Sequence, residues 1–152
     1  MKNRGGRWSS SIATGSLLCR LFLLLLSVQM LVWAAWPGVG ENLPVCTATG
    51  EQYTPQLVSD NRDGCVVIWF DTRNGMELIN VFGQRIGAQG DTLWTPGGVQ
   101  FTNVASYTWI SYLVACGDGN GGAFFAWEDP RSGNFDVYVQ HADSTGAVSW
   151  TA

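Results

Sequence analysis

Two pentapeptides hold the residue types best suited to chemistry: Asp71-Thr72-Arg73-Asn74-Gly75 and Asp129-Pro130-Arg131-Ser132-Gly133. With Glu128 beside the second, they could supply carboxylates for glycoside hydrolysis, which needs two carboxyls about 5–10 Å apart across a sugar. Yet the two aspartates occupy equivalent places in a repeated pattern, and repetition suits structure better than a single catalytic centre. In that reading Asp caps the turn, Arg bridges to it or to a neighbouring unit, and Gly takes the tight conformation. No catalytic residue is assigned, and the chain is read as a non-enzyme.

The remaining candidates follow the same logic. Asp60, Asp63, Asp118 and Asn120 stand in glycine-rich loops where oxygen ligands could bind calcium, but the two loops share no ligand pattern and lack the acidic twelfth position of an EF-hand. They are read as plain turns. His141 is the only histidine, aligns with Arg85, and is expected on a strand surface. A Ser-His-Asp or Cys-His site would have to use it, and no sequence feature supports one. Cys46, Cys65 and Cys116 permit at most one disulfide, do not make metal-ligand spacing with one histidine, and are read as small apolar core side chains. No metal or cofactor is expected. Trp69, Trp94, Trp127 and Trp150 could stack on sugars, but they recur in register and are read as core. Tyr53, Tyr107, Trp109 and Tyr112 are less bound to the pattern and would be the better platforms.

These residues are carried by a duplicated unit. Leu57-Val58 matches Leu113-Val114 at a spacing of 56, which sets Ser59-Asp60 against Ala115-Cys116. Gly64, Trp69, Asp71, Arg73 and Gly75 match Gly122, Trp127, Asp129, Arg131 and Gly133 at 58. Val81, Gln84, Gly90 and Trp94 then match Val137, Gln140, Gly146 and Trp150 at 56. Leu43-Pro44-Val45-Cys46 lies 56 before Val99-Gln100-Phe101-Thr102. The shifts place two added residues in a turn-like loop of the second copy and two in a later loop of the first, as a repeated structural unit allows.

Each unit reads as strands. Residues 56–59 form a short one; 64–70 and 122–127 are unbroken apolar runs that predict strands buried on both faces. Residues 78–86 and 135–142, rich in Val, Ile, Phe and Tyr, predict third strands. A short fourth strand is expected to end at Trp94 and at Trp150. No helical period appears after residue 40. Four short antiparallel strands per unit predict an all-β chain of two propeller-like blades in tandem. The divisions are 1–34, an export signal or uncleaved anchor; 35–53, a junction and strand; 54–109, the first unit; and 110–152, the second, expected to continue in a longer chain.

The signal follows from charge and length. Lys2, Arg4, Arg7 and Arg20 precede a nearly apolar stretch, residues 21–36, with small residues at Ala34 and Ala35. Sixteen helical residues reach about 24 Å, short of the roughly 30 Å hydrocarbon core. The pattern fits a secretory signal, so residue 41 onward is expected outside the cell. That part holds four arginines, no lysine and all twelve acids, a balance of −8. Nucleic acid is excluded as a partner, because phosphate binding needs clustered cations.

The pattern P-x-L-V-S-D, G-hydrophobic-W-x-D-x-R-x-G, Y/F-x-Q-R/H and G-x-x-x-W resembles a group of secreted bacterial tandem-repeat, β-propeller-like proteins. The resemblance spans about residues 43–152, and the junction Cys46-Thr47-Ala48-Thr49-Gly50 is similar to one that recurs there. It implies a secreted or cell-surface location, further repeats of the same longer chain as partners, and a scaffold or interaction role, with a glycan or protein as possible ligand. The alternative function is a carbohydrate-binding or glycan-processing propeller. Two blades cannot close a ring, so Val66, Ile68, Phe124 and Phe125 are expected on partly covered faces, with residues 36–42 too short to cap them and self-association the consequence.

Overall fold

The computed structural model describes residues 41–103 and 109–150. The export segment, Tyr107 and the last two residues lie outside that range. Seven strands make up the described chain: β1 (Gln52–Ser59), β2 (Cys65–Asp71), β3 (Asn80–Ile86), β4 (Val99–Gln100), β5 (Ser111–Gly117), β6 (Ala123–Asp129) and β7 (Asp136–Ala142). They form two antiparallel sheets, the first in order β1-β2-β3-β4 and the second β5-β6-β7. No helix occurs among the described residues.

Sequence dictates these boundaries locally. β1 starts at Gln52, four residues ahead of its expected start, because Thr54 takes a positive φ of 53° and bulges the strand past Pro55. β5 bulges in the same way at Tyr112, also at φ 53°. β3 begins at Asn80 rather than 78, since the Leu78 amide donates to Gly75 O and closes the preceding turn. The fourth strand differs most. Only isolated bridges, Ile86 to Thr92 and Ala142 to Val148, form ahead of Trp94 and Trp150. Trp94 instead turns its ring into the core, and Gly97 and Gly98, at φ 81° and 97°, return the chain to the β3 edge as Val99–Gln100.

The register also moves the two-residue insertion. Ser59 pairs with Cys65, and Gly117 pairs with Ala123. β1 and β5 therefore correspond at a spacing of 58, not 56. Asp60 stands where Asp118 does, and the extra residues of the second copy fall before β5. Chance identity of Leu57-Val58 with Leu113-Val114 hid this.

The sheets stack face on face. Val66, Ile68, Phe70 and Val81 of the first sheet meet Ala123, Phe125, Trp127 and Ala142 of the second, with Trp94 and Phe101 in the same cluster. Phe101 and Phe125 centroids are 4.9 Å apart. Val66 and Ile68 are fully buried and Phe125 nearly so, against the expectation of partial cover. Each such side chain contributes about 1.5–3 kcal/mol of burial. The far face of the first sheet, Val67, Trp69, Phe82 and Ile86, is covered by Leu43, Val45 and Cys46. Residues just past the expected N-terminal gap thus act as a partial cap. The far face of the second sheet has no such cover among the described residues. β2 is buried on both faces, whereas β6 alternates, with Phe124, Ala126 and Glu128 only half-buried. An apolar run alone cannot tell these cases apart, because cover comes from elsewhere in the chain.

Candidate functional site

The Asp-x-Arg-x-Gly turns close the β2–β3 and β6–β7 connections. Asp71 is completely buried. Its Oδ1 accepts the Arg73 amide at 2.8 Å and Nε at 2.9 Å; its Oδ2 accepts Trp69 Nε1 at 2.9 Å and Arg73 Nη2 at 2.6 Å. Arg73 in turn donates to Gly97 O at 2.9 Å, lies 3.1 Å from Cys46 Sγ, and stacks 3.9 Å over the Phe82 ring. Asp129 repeats the arrangement: it accepts the Arg131 amide at 2.9 Å, Arg131 Nε at 2.9 Å, Trp127 Nε1 at 3.3 Å and Arg131 Nη2. Arg131 lies 4.2 Å over Tyr138. Both Asp71 oxygens accept two donors each, whereas Asp129 Oδ2 accepts three and Oδ1 one, so each carboxylate is held chiefly by its own turn.

A second set of carboxylates pins the loops ahead of β2 and β6. Asp60 Oδ1 accepts the amides of Arg62 and Gly64, both at 2.8 Å; Asp118 Oδ1 accepts those of Asn120 at 2.7 Å and Gly122 at 2.9 Å. The loops therefore share one pattern, contrary to the sequence reading. Asp60 Oδ2 pairs with Arg85, at 2.8 Å from Nη2, and Asp118 Oδ2 with His141 Nε2 at 2.9 Å. The sequence missed both pairs. Their signal, an Asp four residues before the Gly that precedes the strand, was masked when Asp60 was set against Cys116. Asp63 is exposed. His141 is half-buried rather than solvated, its ring 4.4 Å from Phe124.

Gln84 and Gln140 clamp the tryptophan loops. Gln84 Oε1 accepts the Trp94 amide at 2.9 Å and its Nε2 donates to Thr95 O; Gln140 Oε1 accepts the Trp150 amide at 3.2 Å and its Nε2 donates to Trp150 O. The tryptophans then diverge. Trp69, Trp94 and Trp127 are buried, while Trp150 is 44% exposed. Trp94 Nε1 and Arg85 Nη1 both donate to Ser144 O of the second unit, at 3.0 and 3.2 Å. Gly75 and Gly133 hold positive φ in their turns. Among the described cysteines, Cys46 and Cys65 are half-buried and Cys116 is exposed, and none of the three is in a disulfide. Burial, aided by the charge of Asp60, pushes the Cys65 thiol pKa up and leaves it inert.

Electrostatics match this picture. Burial opposes ionisation of Asp60, Asp71, Asp118 and Asp129 more than any other single effect. Hydrogen bonds from Arg85, Arg73, His141 and Arg131, together with backbone amides, outweigh it and hold all four below the usual carboxylate range. A folded-state pKa below the unfolded one stabilises the fold above the unfolded value and is lost as pH falls through the folded value. Stability is therefore expected to be flat near neutrality and to fall steeply below about pH 4, where free carboxyls protonate. Urea midpoints across an acid pH series check this, and a flat series would contradict it.

What remains open is a surface. Val114, Val137 and Val139 are 58%, 76% and 55% exposed on the outer face of the second sheet, beside a shallow hollow of about 270 Å³ lined by Cys116, Phe124 and Ala126. A groove of about 510 Å³ runs along the β7 edge between Trp127, Arg131, Tyr138 and Trp150. No group of three or more metal-ligating side chains occurs among the described residues. Comparison with protein-family models, curated proteins and solved structures finds no match.

Proposed function

We propose that the chain is a non-enzymatic scaffold or interaction module of a secreted or cell-surface repeat protein, its two sheets being successive propeller-like blades. One observation carries the reading. The same Trp-x-Asp-x-Arg constellation closes both units, with each buried carboxylate accepting four hydrogen bonds, three of them from its own arginine. Catalysis would require one of them to be freed for a substrate. The apolar outer face of the second sheet is what the molecule leaves for a partner. Asp129→Ala is expected to lower the thermal midpoint while removing no reaction. A folded Asp129→Ala protein that selectively loses a catalytic turnover would overturn the proposal.

A second reading, carbohydrate binding, is favoured by two aromatics. Trp109 and Tyr112 are 62% and 76% exposed at the start of β5, whereas Tyr53 is packed against Phe70. Glycan-array signal lost in Trp109→Ala would support it. A blank array with folded protein would count against it.

A further inference from the structure

Asparagine precedes glycine at two places in this chain, Asn74-Gly75 and Asn120-Gly121. Such a pair can react with itself. The glycine amide nitrogen attacks the asparagine Cγ, and no side chain on the glycine crowds the closing ring. The fold treats the two pairs oppositely. At the first, the Gly75 amide donates to Thr72 O at 2.9 Å and Asn74 Nδ2 donates to Gln100 Oε1 at 3.3 Å, so nucleophile and leaving group are both engaged. At the second, Asn120 is exposed, and neither its carboxamide nor the Gly121 amide has a hydrogen-bond partner among the described residues.

The surroundings of the second pair lie wholly within the described chain. Its counterpart, at a spacing of 58, is the loop ahead of β2, where Arg62-Asp63 replaces Asn120-Gly121 while one aspartate oxygen again holds two amides. Arg62 stays exposed although a whole sheet follows it. A following sheet therefore does not cover this position, and the exposure of Asn120 does not depend on what lies beyond β7.

We propose that Asn120-Gly121 is a site of spontaneous backbone modification whose co-reactant is water. Hydroxide takes the Gly121 amide proton as that nitrogen bonds to Asn120 Cγ. The Cγ–Nδ2 bond breaks, and Nδ2 leaves as ammonia with a proton from water. Water then opens the cyclic imide at either carbonyl, and no oxidant or reductant is needed. One product is aspartate. The other, isoaspartate, routes the main chain through the former side chain and so adds a methylene between the Asn120 and Gly122 amides. Asp118 Oδ1 accepts those two amides at 2.7 and 2.9 Å, and it no longer spans both in the longer chain. The same loop packs Gly121 on Arg85, where a Cβ built on the glycine would lie 3.0 Å from Nη2. Arg85 in turn reaches across to Ser144 O. Modification therefore loosens the contact between the two units. This inference is independent of the module reading.

The test uses the full chain in a mild detergent that solvates its apolar N-terminal stretch, aged in mildly alkaline buffer and then cut after arginine. Peptides 74–85 and 86–131 separate the two pairs. Acid gain at Asn120, located by fragment masses, should outrun that at Asn74 by about tenfold, because the Gly75 hydrogen bond must break before Asn74 can react. An isoaspartate-specific methyltransferase should label peptide 86–131 of the aged protein. In guanidinium chloride the two rates should converge, since both pairs are then bare. The Gly122 amide should exchange faster in the aged parent and not in aged Asn120→Gln. Equal rates at the two pairs in the folded protein, or no gain at Asn120 while the denatured chain reacts, would overturn the site. Unchanged exchange at Gly122 in modified protein would overturn its effect on the loop.

Discussion

Asp71→Ala is expected to cost about 3–5 kcal/mol, the penalty for leaving a buried charge without its partner. The loss is large because four donors converge on one completely buried carboxylate. Trp69 Nε1 and the Arg73 amide both lose their acceptor when the carboxylate is removed. The Arg73 side chain is only 19% exposed, so its guanidinium cannot turn fully to water. Arg131 is 39% exposed and can, which makes Asp129→Ala the milder of the two. A domain of this size holds about 5–15 kcal/mol in total, so Asp71→Ala leaves the fold marginal at room temperature. Chemical denaturation of the two variants side by side checks both the size and the order. Equal costs would show that the environment of the arginine does not set the penalty.

Phe101→Ala should be comparably severe, about 3–5 kcal/mol, as for other buried phenylalanines. Phe101 is 8% exposed and stands between the sheets, 5.9 Å from Trp94 and 4.9 Å from Phe125. Gly83 exists without a side chain so that this ring can lie across β3. Removing the ring opens a cavity where the two sheets meet. Hydrogen exchange should therefore rise in β5 and β6 as well as in β3. Faster exchange confined to the first sheet would mean that the sheets are held together by something other than this cluster.

Much of the architecture was legible in advance. Apolar runs bounded by Asp, Gly and Pro located β2, β3, β6 and β7 to within about two residues, because turn chemistry punctuates strands strongly. The Trp-x-Asp-x-Arg-x-Gly spacing identified the positions that close both turns. Three things were hidden for physical reasons. Thr54 and Tyr112 adopt a conformation that side chains disfavour, so the bulges that extend β1 and β5 had no local signal. The Asp60–Arg85 and Asp118–His141 pairs join residues 25 and 23 apart, a separation set by sheet pairing and not by local pattern. Burial of the second face of β2 depends on segment 43–46, while β6 is covered on one face by the first sheet, and no property of either strand reports the difference.

The account rests on the outer face of the second sheet being the surface this chain offers to another polypeptide. Val114 and Val137 are exposed there, so replacing both with aspartate should cost the fold little while adding charge that opposes docking. Sedimentation of the full chain and of Val114→Asp/Val137→Asp in the same detergent, each paired with a denaturation curve, is the direct measurement. The account predicts a self-associating parent and a less associated variant with the same unfolding midpoint. A monomeric parent with a cooperative transition of several kcal/mol, unchanged by the two aspartates, would contradict it.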